Sequence, residues 1–218
     1  MCVYPGRITR NNLPALQREF FVNCSGHFET LNKYPVQCCC GRNVETDYYR
    51  FTLTRRDNPD AATLFLFAGP RCGMNINEFF NLTPPPRIIF WLADGHGPGH
   101  GPNRHGPNNI DPVMPRFNGI NAEIFVVASF LQILRRETPI NALENLISRL
   151  RNNPNRVVSD RELQFLGRLA TDETNRLGYA SLREAMTALF ARPGRNVRAF
   201  EFLLLRGKLA ELGVANII

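Results

Sequence analysis

The spacing of apolar residues changes partway along this chain. Residues 48–54 read Tyr-Tyr-Arg-Phe-Thr-Leu-Thr, rich in aromatic and β-branched side chains, which predicts a strand. Residues 63–67 follow as Thr-Leu-Phe-Leu-Phe, nearly all apolar, which predicts a second strand in a central position. Between them Asp57-Asn58-Pro59-Asp60 is a turn sequence. The two runs therefore predict an antiparallel hairpin with a loop longer than the tight two-residue type. A third strand is expected over residues 87–92, after Pro84-Pro85-Pro86. Upstream, residues 13–21 predict a short helix with Pro14 in its first turn. Residues 21–46 show no sustained period and read as irregular.

From Asn121 the period becomes helical. Ile124, Val127, Ala128, Leu131 and Leu134 line one face of a helix expected over residues 122–137. Thr138-Pro139 reads as N-cap and first-turn proline of a second helix reaching about Arg151. Ser159 with Glu162 and Ser181 with Glu184 each have capping-box spacing and open two more. Pro193-Gly194 stops the fourth, Asn196 can cap a fifth, and Gly213 ends it near Leu212. Residues 94–116 interrupt the chain with dense Gly and Pro, which forbid a helix or a central strand. The expected fold is thus α+β: a small antiparallel sheet domain with a cysteine-rich knuckle (1–93), a Gly/Pro/His-rich linker or loop (94–118) and a five-helix domain (119–218).

Composition narrows the function classes. At 218 residues, 44% hydrophobic and 21% charged, the chain has the make-up of a folded protein with a proper core. It lacks an apolar run long enough for a transmembrane helix, and residues 1–10 lack a secretory core. A cytoplasmic location is expected. The net charge of +7 is diffuse: 12 basic against 9 acidic residues through position 118 give +3, and 14 against 10 beyond it give +4. Such a field favours a polyanionic partner, nucleic acid first among them. In the helical half Arg135, Arg136, Arg149, Arg151, Arg192, Arg195 and Arg198 are the candidates for phosphate contact. Of 26 basic residues 24 are arginine, with only Lys33 and Lys208 as lysines. A GC-rich genome is the first account of that bias; avoidance of ubiquitin acceptors, in a protein delivered into a host cell to bind another protein, is the alternative.

The chemistry-bearing residues lie in the front half. All six cysteines, Cys2, Cys24, Cys38, Cys39, Cys40 and Cys72, fall within its first 72 residues. With no secretory signal, metal binding or free thiols are favoured over disulfides. In an extended Cys38-Cys39-Cys40-Gly41, Cys38 and Cys40 face the same side. The hairpin can return Cys72 to them, and Cys24 or His27 can supply a fourth donor, a set that suits zinc. The competing reading is a group of buried reduced thiols acting as small apolar residues. A third is nucleophilic catalysis by Cys24 or Cys72 with His27, oriented by Asp47. His96, His100 and His105 lie in the Gly/Pro run, as a solvated linker or a presented metal or partner site. No phosphate loop, dinucleotide fingerprint or serine nucleophile elbow is present. The leading expectation is a non-enzymatic binding protein, zinc-stabilised, that contacts nucleic acid. A host-directed effector and a cysteine-dependent enzyme are the alternatives.

Overall fold

The computed structural model describes residues 2–31, 35–84, 117–135, 140–191 and 201–214. The chain forms two compact units, Met1–Ile88 and Ile89–Ile218, and its class is α+β. The third strand expected over residues 87–92 and the Gly/Pro/His run lie outside the described residues, as do His96, His100 and His105.

The first unit contains β1 (Cys2–Val3), a 3₁₀ turn (Arg10–Asn12), α1 (Leu13–Glu19), β2 (Phe20–Glu29), β3 (Val36–Gln37), β4 (Asn43–Val44), β5 (Asp47–Arg55), β6 (Leu64–Ala68) and α2 (Pro70–Phe79). Its main sheet has the order β1-β6-β5-β2. The expected hairpin is present: β5 and β6 pair antiparallel from Tyr49 opposite Ala68 to Leu53 opposite Leu64. On the other side β5 pairs antiparallel with β2, from Phe20 opposite Arg55 to Glu29 opposite Asp47. β1 joins β6 in parallel.

β5 is buried on both faces, since Tyr48, Tyr49, Arg50 and Phe51 are all buried in succession. That is why its sequence lacks a clean alternation. Arg50 is 1% exposed. Its guanidinium lies over the Phe28 and Phe65 rings, and its Nε donates to Ser25 Oγ at 2.9 Å. Burial of such a charge is tolerable because rings and hydroxyl replace some of its hydration.

Two elements correct the sequence reading. Residues 20–29, expected to end a helix and continue irregularly, form the ten-residue strand β2. A bulge between Cys24 and Gly26 shifts its register and breaks the period-2 pattern. α2 had no counterpart in the pattern, because Gly73 and two asparagines are poor helix formers and the pattern does not mark its first-turn Pro70 as a start. Tertiary packing overrides that weakness. A Cβ at position 73 would stand 2.0 Å from the Tyr49 ring, so glycine is what lets α2 lie against β5.

Among the described residues the second unit holds five helices: α3 (Gly119–Leu134), α4 (Asn141–Asn152), α5 (Asp160–Leu177), α6 (Leu182–Phe190) and α7 (Leu203–Glu211). α3 is the hub, buried from Ile124 to Ile133 and packed on α4, α5 and α7. Asn118 Oδ1 caps it by accepting from Asn121 N at 2.9 Å. The Ser159 capping box opens α5 as expected, and Gly178, at φ +76°, closes it. At α6 only half of the expected box forms: Glu184 N donates to Ser181 Oγ at 3.1 Å, while the Glu184 carboxylate accepts from Ala180 N. α7 takes its N-terminal acceptor from α3, where Glu123 Oε2 accepts from Leu205 N at 2.7 Å. Gly213, at φ +69°, ends it as expected. Thr138, Pro139, Pro193, Gly194 and Asn196 lie outside the described residues. Among the described residues no helix is long and apolar enough to cross a membrane.

Candidate metal centre

The cysteine tripeptide sits at the tip of a small ribbon. Val36 pairs with Val44 and Gln37 with Asn43, so residues 38–42 must reverse the chain. Cys38 N donates to Arg42 O at 2.8 Å, and Gly41 N donates to Cys38 O at 2.7 Å. Gly41 has φ +89°, a left-handed conformation that glycine adopts without steric cost. The tip is anchored on both sides, because Cys39 N donates to Phe67 O at 2.7 Å and Cys39 O accepts from Ile8 N at 2.9 Å. Arg7 Nε donates to Cys40 O at 2.7 Å and its guanidinium lies beside Gly41.

The second component is the entry to α2. Gly69 is its N-cap and Pro70 stands in its first turn. Gly69 N donates to Cys38 Sγ at 3.2 Å, so the backbone at the helix entrance touches the ribbon tip directly. Cys72 follows in the first turn, at the positive end of the helix dipole. The result is a group of three sulfurs from two distant stretches of sequence. The Sγ atoms of Cys38, Cys39 and Cys72 lie within 4.8 Å of one another, and the group can hold a metal ion. Cys38 Sγ and Cys39 Sγ are 3.9 Å apart.

The thiols are electrostatically unequal. The Cys39 thiol bonded to it pulls Cys38 down to about 4; burial opposes this, and the Cys40 and Gly69 amides reinforce it. The same bond drives Cys39 strongly upward, with burial and the negative Cys38 sulfur adding to the effect. Cys72 is pushed up to about 12, by burial first and then by the Cys38 charge. Without a cation the group therefore favours one thiolate and resists the next. A divalent cation reverses that balance, since metal binding takes sulfur as thiolate and releases protons.

Of the predicted metal ligands, the structure brings Cys38 and Cys72 together and adds Cys39. Cys39 joins because residues 38–41 form a turn, and the two-sided alternation expected of an extended segment does not apply. Gly41 was the available signal for that turn. Cys40, also predicted, occupies the same turn but falls outside the set of three mutually close sulfurs. Cys24 and His27 are outside the group, because both lie on β2. Cys24 stands opposite Phe51, itself opposite Leu66, which puts it two strand spacings, roughly 10 Å, from β6. His27 Nε2 lies 2.5 Å from Asp47 Oδ2, and its ring stacks on Tyr49 at 4.0 Å. Asp47 is thus the orienting group the sequence reading named for His27.

The candidate phosphate-binding arginines are spread through the helical unit. Arg135 pairs with the buried Glu173. Arg149 Nη2 lies 3.0 Å from Glu162 Oε1, and Arg156 Nη2 lies 2.8 Å from Glu162 Oε2. The Arg151 guanidinium sits over the Phe125 ring at 5.6 Å. Arg136, Arg192, Arg195 and Arg198 lie outside the described residues.

Fold and site together define an α+β chain whose sheet-bearing unit carries a three-thiol group able to hold a metal ion. No family model, no curated protein and no solved structure matches the chain.

Proposed function

We propose that the chain is a non-enzymatic binding protein whose first unit is held together by one zinc ion. The observation that carries this reading is the convergence of Cys38, Cys39 and Cys72 within 4.8 Å. An all-sulfur donor set suits zinc, which takes thiolates in fourfold coordination without redox chemistry. The position favours a structural role. The ion would join the ribbon tip to the first turn of α2, two features that both lie against β6. Elemental analysis of the purified full chain is expected to give one zinc per molecule. Protein that contains none, and takes none up after reduction, removes the reading.

The partner we propose is a polyanion, with nucleic acid the first to test. The support is the net charge of +7 carried almost wholly by arginine. It is narrower than the charge alone implies, because Arg135, Arg149 and Arg156 already face carboxylates. Binding to mixed-sequence DNA or RNA is expected to weaken steeply with added salt. Affinity that is absent, or insensitive to salt, would sink this part of the proposal.

A further inference from the structure

The three-sulfur group leaves one position of a tetrahedral ion unfilled, and the identity of the fourth donor decides what kind of site this is. An open position permits chemistry on a bound water or substrate; a fourth protein sulfur closes the site and makes it structural. Resting on the zinc reading above, we propose that Cys40 supplies the fourth sulfur and that the centre is a closed four-thiolate site.

The geometry points there in three ways. A zinc–sulfur bond of about 2.3 Å in a tetrahedron sets neighbouring sulfurs about 3.8 Å apart. The Cys38–Cys39 pair, at 3.9 Å, already has that spacing. Cys40 belongs to the same turn and its thiol neighbours those of Cys38 and Cys72, but its sulfur stands outside the set of three that lie within 4.8 Å of one another, so its side chain must swing inward for the site to close. Among the described residues the other expected donors are placed elsewhere, with His27 against Asp47 and Cys24 in the middle of β2.

Charge supplies a further argument. Zinc with four thiolates carries a net charge of −2, which needs nearby donors to be stable in a partly buried place. They are present: Gly69 N–H points at Cys38 Sγ, Arg7 binds the Cys40 carbonyl, and Cys72 stands in the first turn of α2. Arg7 bears on the backbone of Cys40 and Gly41.

Cobalt(II) titration of the reduced full chain tests the proposal, because sulfur-to-cobalt charge-transfer intensity scales with the number of bound thiolates. The native chain is expected to bind one cobalt per molecule with the spectrum of a tetrahedral sulfur site. Cys40→Ser is expected to keep one cobalt but lose about a quarter of that intensity, with at least tenfold weaker binding. Cys40→Ser with full intensity and affinity overturns the proposal and leaves the three-sulfur centre standing. A native chain that binds no cobalt and no zinc overturns the metal reading itself. X-ray absorption of the native zinc protein counts the sulfurs directly, whether or not the variant folds: four supports the closed site, and three overturns it.

Discussion

The helical unit and the sheet unit reach a packed interior by different routes. In the helical unit α3 alone buries an unbroken series from Ile124 to Ile133, and α4, α5 and α6 contribute Leu150, Leu166 and Phe190 at 0% exposure. Its helix ends are satisfied by side chains such as Asn118, Ser159 and Glu123. α4, α5 and α6 present apolar faces to an α3 that is buried along its length, so the unit packs without a cross-link. The sheet unit has a sound centre in β5 and β6, but β1, β3 and β4 are two residues each. Elements that short do not stand alone in water. The thiol group sits among them, where the β3–β4 tip meets α2. The difference teaches why the proposed metal cross-link falls where it does: the local structure there is the weakest.

The largest predicted effect tests that contrast directly. Stripping metal from the full chain with a chelator is expected to unfold the ribbon and the α2 entrance while the five helices persist. Hydrogen exchange reads this residue by residue. The Cys39 and Gly69 amides, bonded to Phe67 O and Cys38 Sγ, should lose protection, and amides within α5 should not. Structural zinc in small domains is worth on the order of 10 kcal/mol, so the loss should be complete in the ribbon. Acid should act in the same direction, because protons compete with metal for the thiolates as pH falls. Loss of protection in both units together would break the comparison.

A buried charge gives the converse test in the helical unit. Glu173 in α5 is fully buried and holds Arg135 and Arg176, with Arg176 Nη2 at 2.6 Å from Oε2. Glu173→Ala removes the carboxylate and leaves Arg135 facing an emptied site. The expected cost is about 3 kcal/mol, measured as a lower urea midpoint of the helical signal, with metal content unchanged. Glu173→Gln keeps the shape and removes the charge, which separates electrostatics from the cavity. A cost under about 1 kcal/mol for both variants would show that hydrocarbon alone carries this unit.

The same contrast explains what was legible in the sequence. The helical unit was readable because its signals are local: periodic apolar residues, Ser159 three residues before Glu162, and Gly213 as a stop. The hairpin was readable because β5 and β6 adjoin a strong turn at Asp57-Asn58-Pro59-Asp60. β2 was hidden by its bulge at Cys24/Gly26, and α2 by Gly73, which makes sense only against Tyr49. At the site, Cys38 and Cys72 were recognisable by residue type and by the hairpin between them. Cys39 was missed because its place depends on a turn, and Cys24 and His27 were included because sequence distance does not report a two-strand separation.

The smallest effect falls on a helix end that needs no metal. At the start of α5, Glu162 N donates to Ser159 Oγ at 3.3 Å, and Ser159 N donates to Glu162 Oε2 at 3.0 Å. Ser159→Ala is expected to cost about 1 kcal/mol at neutral pH, read from the urea midpoint of the helical signal, with zinc content unaffected. The effect should depend on pH in a definite direction. Burial pushes the Glu162 carboxyl up, but the Ser159 amide, the Arg156 guanidinium and the Ser159 hydroxyl outweigh it and hold the group below its ordinary range. A carboxyl with a depressed folded-state pKa adds stability above its ordinary value and loses it as pH falls through the folded value. Removing the Ser159 hydroxyl moves Glu162 back toward the ordinary range, so part of the gap between native chain and variant depends on the ionised carboxylate. That gap should narrow as pH drops below the carboxylate range. A gap that stays constant from neutral pH into acid would assign the whole cost to the lost Ser159 Oγ cap on the Glu162 amide.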